Sequence, residues 1–280
     1  MSDVALNISL QPFRDDTCVP NIDIRVEWME RIPSPCGEKT FDSGTTWRLH
    51  RALRNMEFDL RSETLGSYPY ARLAIDDRFR WGTLQMSEEC FAHLSYAAEP
   101  LGYPLDELLI MHRLTQERAI ELHGTGIVRT NGVANLFIGH SGAGKSTTTR
   151  LWTSREEVEV LSDDRIIVRY DDGRDGPAGT TGMRMYGTPW HGEAMFASPN
   201  SAPLTRIFVL EHGHGNVITR LTRSQAVGEL FARAFVPFHR HEYLENALSF
   251  LEQLVSSVPC YRYSFEPDER AVEKVLQFND

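Results

Sequence analysis

Eight residues, Gly139-His140-Ser141-Gly142-Ala143-Gly144-Lys145-Ser146, constrain this chain more than any other feature. They fill the pattern G-x-x-x-x-G-K-[ST], whose glycines permit positive φ and leave room for backbone N–H groups to close around phosphate oxygens. Val133 to Ile138 before them reads as a buried strand, and a helix-like run from Lys145 to about Trp152 follows. Strand, loop, helix is the order such a loop needs. In it Lys145 would set its ammonium on the β and γ phosphates, Ser146 would offer its hydroxyl to Mg²⁺, and the helix would add its positive N-terminal dipole. The candidate nucleotide-binding residues are Gly139, Ser141, Gly142, Ala143, Gly144, Lys145, Ser146 and Thr147, with ATP and Mg²⁺ as the expected ligands.

One βα unit later comes Leu161-Ser162-Asp163-Asp164-Arg165, between the strand-like runs Val158–Leu161 and Ile166–Tyr170. Two adjacent acids at a strand end can divide labour, one meeting the metal held by Ser146 and the other taking a proton from an incoming hydroxyl. The plain alternative is that Asp163 and Asp164 cap a turn.

The rest of the chain supplies the setting. The stretch up to about Thr40 has no sustained period, and Pro33 to Gly37 marks a turn. From Arg48 to Leu84, runs such as Phe58–Leu60 and Ala71–Asp76 alternate in the manner of half-buried strands, which predicts a small sheet-rich N-terminal unit over residues 1–104. Its position ahead of the glycine loop suits recruitment of an acceptor. The spacing of Leu105, Leu108, Leu109 and His112 predicts a helix to about Glu117 that opens the main domain, 105–280. Ile120–His123 and Gly126–Val128 read as strand segments, Asp171 to Gly182 as an exposed connection, and Ile207–Leu210 as a strand. Helices are expected after the capping-box spacing Thr222 to Gln225, over Glu242 to about Val258, and from Pro267 to about Leu276.

With 29 Lys plus Arg against 39 Asp plus Glu, the formal charge of -10 disfavours a nucleic-acid partner. No stretch approaches the roughly 20 apolar residues that span a bilayer, and no apolar run follows the first residues, so neither a membrane partner nor a secretory signal is expected and the cytoplasm is the default. Four scattered cysteines without C-x-x-C spacing argue against a disulfide scaffold and a zinc knuckle. His212 with His214 and His239 with His241 form H-x-H pairs, but no compact carboxylate or cysteine completes a metal set.

Gly139 to Thr147, the Leu161–Arg165 run and His123-Gly124 upstream together resemble bacterial HPr kinase/phosphorylase and its relatives, which share a P-loop core with ATP-dependent phosphoenolpyruvate carboxykinase. The resemblance covers roughly Leu105 to Val168 in good motif order and continues more weakly to the C-terminus. It implies an α/β fold with a P-loop core of that type and a mixed sheet. It also implies transfer of a phosphoryl group onto a serine hydroxyl, and a homo-oligomer, since the family often forms rings or dimers. Carried over by motif position, His123 lies near the transferred phosphate, Lys145 and Ser146 hold phosphate and metal, Asp163 interacts with the metal, and Asp164 is the base. Where that enzyme has an E-I-R-G-type signature, this chain has Met183 to Glu193 without the acid before the arginine. In this it is more like the shorter HPr-kinase-related proteins, some of which modify ribosomally made peptides. Arg184, Trp190, His191 and Glu193 become candidate contacts to nucleotide or acceptor, with a Pro-Trp turn packed on the core as the bland alternative.

The expectation is a Mg-dependent kinase acting on a serine-type hydroxyl of a peptide, protein or small molecule. Its rival is a nucleotide-gated binding protein in which ATP orders the Arg184–Glu193 segment without phosphoryl transfer. A carboxykinase-like lyase ranks below both, because no second metal-binding lysine and histidine can be placed.

Overall fold

The computed structural model describes residues 6–52, 55–92, 98–173 and 181–279 and divides into two compact units, Met1–Gln116 and Glu117–Asp280. It is α/β with mixed sheets, as expected.

The first unit holds β1 (Asp23–Met29), β2 (Glu38–Asp42), β3 (Trp47–Arg51), β4 (Asn55–Leu60), β5 (Ala71–Asp76), β6 (Trp81–Ser87), the short α1 (Glu88–Phe91) and α2 (Leu105–Leu114). Its sheet runs β1-β6-β5-β4-β3-β2, with β1 parallel to β6 and the other pairs antiparallel. The two strands that fall in the unpatterned first stretch are the two edges of this sheet, and neither has a fully buried residue. Without a dry face there is no pressure for alternation, which is why periodicity missed them.

The expected boundary at 104/105 moves to 116/117. Leu105, Leu108, Leu109 and Met111 of α2 join Phe58, Leu73, Phe79 and Leu84 in the core of the first unit. An amphipathic helix belongs to the unit that covers its apolar stripe, and a helix's spacing says only that such a stripe exists.

The second unit contains β7 (Ala119–Arg129), β8 (Ala134–Ile138), α3 (Lys145–Arg155), β9 (Val158–Ser162), β10 (Arg165–Asp171), β11 (Gly182–Tyr186), β12 (Ser201–Pro203), β13 (Arg206–His212), β14 (Val217–Arg220), α4 (Arg223–Phe231), β15 (Ala234–Phe235), α5 (His241–Ser257), β16 (Cys260–Phe265) and α6 (Glu269–Gln277). The sheet order is β12-β11-β10-β7-β8-β13-β16-β14, with β9 and β15 also on β7. β8, β13 and β16 are mutually parallel neighbours, and the remaining pairs are antiparallel. Residues 174–180 of the expected connection lie outside the described residues.

The two expected segments 120–123 and 126–128 are one continuous strand of 11 residues. Gly124 and Gly126 do not break it; they let neighbours close in. A Cβ at Gly124 would stand 2.9 Å from the Phe137 carbonyl oxygen, and one at Gly126 2.8 Å from Ile166 Cδ1.

Period-2 alternation sends the sheet's side chains into two cores. Leu122, Leu136, Ile207 and Val209 face Ala226, Leu230, Phe250 and Leu251 of α4 and α5. Ile127, Phe137, Phe208, Tyr261 and Tyr263 face Trp152 of α3 and Val272 and Val275 of α6. The capping box forms as spelled: the Thr222 hydroxyl accepts from Gln225 N–H, and Gln225 Oε1 accepts from Thr222 N–H at 3.0 Å. α6 starts at Glu269 with Asp268 as its N-cap, two residues after the expected start at Pro267.

The boundary is testable by truncation. A chain starting at Glu117 should be soluble and cooperatively folded by circular dichroism. One starting at Leu105 carries the apolar face of α2 without its core and should aggregate; equal behaviour of the two would return α2 to the second unit.

Candidate functional site

Three parallel strands bring their C-terminal ends to one edge, where open α/β sheets keep their ligand crevices. The loop from β8 to α3 crosses that edge. Gly142 and Gly144 have φ of +79° and +98°, in the left-handed region that favours glycine. A Cβ at Gly139 would meet Ala143 Cβ at 2.6 Å, and one at Gly144 would meet the Phe265 ring at 2.5 Å. From β13, His212 stacks on Phe265 with centroids 5.8 Å apart and donates from Nε2 to the Gly142 carbonyl at 2.7 Å. The loop is therefore braced from β13 and β16.

Lys145, buried, donates from Nζ to the Gly139 and His140 carbonyls, both at 3.1 Å. Burial, above all, lowers its pKa below the ordinary lysine value; Asp164 and Asp163 pull it back up, and Arg233 pushes it further down. No side chain caps α3, so its first-turn N–H groups stay open to an anion. Among the described residues the Ser146 and Thr147 hydroxyls make no hydrogen bond, and both residues are half-buried.

The acid turn is organised by Ser162, not by the acids. Its hydroxyl donates to the Trp190 carbonyl at 2.8 Å and accepts from the N–H groups of Asp164 at 3.2 Å and Arg165 at 3.1 Å. That frees both carboxylates for other partners, and they part company. Asp163, 1% exposed, accepts from the N–H groups of Gly192 at 2.9 Å, Phe196 at 3.1 Å and Ala194 at 2.7 Å. Gly192 must be glycine for this approach, since a Cβ there would lie 3.0 Å from Asp163 Oδ2. Asp163, expected to meet the metal, thus has both oxygens filled by backbone donors and anchors the 192–196 segment.

Asp164 faces the glycine loop. Its Oδ1 is 3.2 Å from His123 Nε2 and its Oδ2 3.3 Å from Arg165 Nε. The hydrogen bond from His123 foremost, with the charges of His123, Arg165 and Lys145, holds its carboxyl below the usual range against the opposing effect of burial. Arg165 continues to the buried Glu121 at 3.3 Å and lies over the rings of Phe235 at 4.3 Å and Trp190 at 5.5 Å. Lys145, Asp164 and His123 are thus brought together as the motif order predicts.

The downstream candidates separate. Trp190 belongs to the acid turn through its carbonyl and its ring, whereas Glu193 is largely exposed and only 3.9 Å from Arg150 of α3. His191 is exposed and contacts its neighbouring Gly192 carbonyl. Arg184 is not in this site. It is buried on β11, 3.4 Å from Asp171 and 3.1 Å from Ser201, and Asp171 ends β10 roughly 20 Å from Asp164 at strand rise. The histidine pairs split as well: His212 serves the loop, His214 approaches Glu266, His239 packs against Tyr243 and His241 approaches Glu245.

Among the described residues no group of three His, Cys, Asp or Glu could hold a metal ion. The residues fit Mg²⁺ only as an ion that brings most of its oxygen ligands with it, with Ser146 as the open protein donor. Arg165 and His212 stood in recognisable runs whose roles spacing does not reveal. Arg233 has no local signature at all; register alone brings it here. No protein-family model matches the chain, and no curated protein matches it either.

Two outcomes follow from the unequal acids. Asp163→Ala strands three backbone donors and should cost about 3 kcal/mol in denaturant unfolding, clearly more than Asp164→Asn; the reverse order would contradict the anchor role. Because the folded pKa of Asp164 is depressed, its stabilisation is present above the unfolded value of about 4 and is lost as pH falls through the folded value. The stability gap between wild type and Asp164→Asn, read by paired melts, should therefore shrink to nothing on acidification.

Proposed function

We propose that this chain is a cytoplasmic, Mg-dependent kinase with a P-loop core of the HPr kinase/phosphoenolpyruvate carboxykinase type. It transfers the γ-phosphoryl group of ATP to a serine-type hydroxyl of a peptide, protein or small molecule. The observation that carries the reading is the meeting of the Lys145 loop with the Asp164–His123 pair, where the His123 carbonyl accepts the Gly139 N–H and its ring meets an ionised carboxylate.

The chemistry follows from the partners of each group. The glycine-loop N–H groups and the open end of α3 take the phosphate oxygens, and Lys145 exchanges the Gly139 and His140 carbonyls for them. Phosphate charge then raises the lysine pKa that burial lowers, so binding stabilises the ammonium. Asp164 accepts the acceptor's hydroxyl proton as that oxygen bonds to the γ-phosphorus and the bond to the β-phosphate oxygen breaks, releasing ADP. His123 and Arg165 keep Asp164 ionised and oriented before the proton arrives. Bound Mg²⁺ would neutralise charge on the β and γ oxygens, with Ser146 as its protein ligand. Asp163 acts at one remove, setting the 192–196 segment beside the acid turn.

The test is transfer of radiolabelled γ-phosphate, with Mg²⁺, to free serine, serine peptides and a cell extract. Wild type should label an acceptor and Lys145→Ala should not. Asp164→Asn should bind nucleotide normally while transfer falls by roughly 100-fold or more. Tight Mg-ATP binding with no labelled acceptor would favour a nucleotide-gated binding protein, and full transfer by Asp164→Asn would remove the base.

A further inference from the structure

Among the described residues, the non-glycine residues with φ in the left-handed region are Phe79 at +51°, Asn216 at +51° and Met195 at +62°. A side chain on such a backbone costs energy that something else must offset. For two of them the side chain itself supplies the offset. The Phe79 ring is fully buried and stacks on His112 with centroids 4.5 Å apart, and Asn216, also buried, accepts the Glu266 N–H at 2.9 Å. Met195 is 68% exposed and belongs to none of the hydrophobic cores.

What holds Met195 in this conformation is the backbone on either side of it. Ala194 and Phe196 donate their N–H groups to Asp163, and the Met195 N–H turns back to the Gly192 carbonyl at 3.2 Å. With Gly192, Ala194 and Phe196 drawn inward and half-buried, His191, Glu193 and Met195 form an exposed row. Glycine at 195 would meet the same backbone demand without strain. The turn therefore has no use for the methionine side chain, whose apolar surface is left to solvent.

The row has a definite place. Trp190, just before it, gives its carbonyl to Ser162 of the acid turn and its ring to Arg165, which also lies over Phe235. Glu193 approaches Arg150 of α3 at 3.9 Å. The row thus runs between the turn that carries Asp164 and the helix that begins with Lys145, along the side from which an acceptor can reach Asp164.

We infer that Met195 is a specificity-determining residue for the acceptor, packing against a large apolar side chain that flanks the reacting serine of a peptide. The inference rests on the kinase reading and narrows its acceptor to a peptide serine with an apolar neighbour. Methionine suits the task, because an unbranched thioether adapts to partners of different shape. It also accounts for strain spent at an exposed position, which stability alone does not.

The experiment gives the full chain Mg-ATP and serine peptides that differ only in carrying Leu or Asp at each of the three positions before and after the serine. Transfer is measured as kcat/KM, and ATP affinity by calorimetry, for wild type, Met195→Leu, Met195→Asn and Met195→Gly. Asparagine and glycine both accept the left-handed backbone and offer no apolar surface. Wild type should prefer Leu over Asp at one or more positions by roughly tenfold or more, the scale that burial of one such side chain allows. Met195→Leu should keep the preference, Met195→Asn and Met195→Gly should reduce it to within about twofold, and ATP affinity should be alike in all four. Met195→Gly should melt no lower than wild type. An absent preference in wild type, a preference retained by Met195→Asn and Met195→Gly, or a clearly lower melting point for Met195→Gly would each overturn the inference and leave the kinase reading standing. Wild type that labels no acceptor of any kind would overturn both.

Discussion

Strand β7 hydrogen-bonds to four others: β10 and β9 along one edge, β8 and β15 along the other. Its two glycines let Phe137 and Ile166 approach closely enough to keep those edges paired along an 11-residue strand. His123 lies where the four pairings change over, opposite Arg165 on one side and bonded to Arg233 and Gly139 on the other. The glycine loop, the acid turn and the α4–β15 corner are far apart in sequence, and this strand is what makes them neighbours. Because side-chain direction repeats every two residues, a one-residue slip of β7 would turn His123 to the opposite face and bring Leu122 into its place.

Asp163 and Asp164 show how strongly surroundings decide what a carboxylate does. Adjacent in sequence, they leave the turn in different directions, and Ser162 satisfies the turn's own N–H groups for them. One is buried among three backbone donors that engage both of its oxygens, which suits a fixed negative charge holding a segment. The other is a third exposed and held by two side chains, an arrangement that keeps it ionised yet reachable. Holding a segment and staying reachable are incompatible demands on one carboxylate, and the pair separates them.

The bracing of the glycine loop is equally one-sided. Phe265 and His212 press on it from β16 and β13, while its own lysine occupies two of its carbonyls. These contacts leave the end of α3 unspent; within the loop, the N–H groups of Gly139 and Ala143 donate to the His123 and His140 carbonyls. A loop rigid before an anion arrives loses little entropy on binding it.

Some of this was written locally in the chain. The strand, glycine loop and helix around Lys145, the capping box at Thr222 and the alternation of β4 and β5 depend on neighbours a few residues away, and spacing reads such dependence directly. The nearness of the glycine loop to His123, and of His123 to Asp164, was legible too, because the motif order carries it. Edge strands β1 and β2 left no pattern, having no dry face, and the unit that owns α2 depended on which core covered its stripe. Arg184 looked like a site residue by position, yet strand direction carries it to the far end of β10. The sequence by itself determined the chemistry on offer, a glycine loop carrying a lysine, with two carboxylates and a histidine near it. Tertiary structure decided which carboxylate faces the glycine loop and that Arg233 pairs beside it, because those depend on hydrogen-bond register between segments about 40 and about 110 residues apart, which no local spacing encodes.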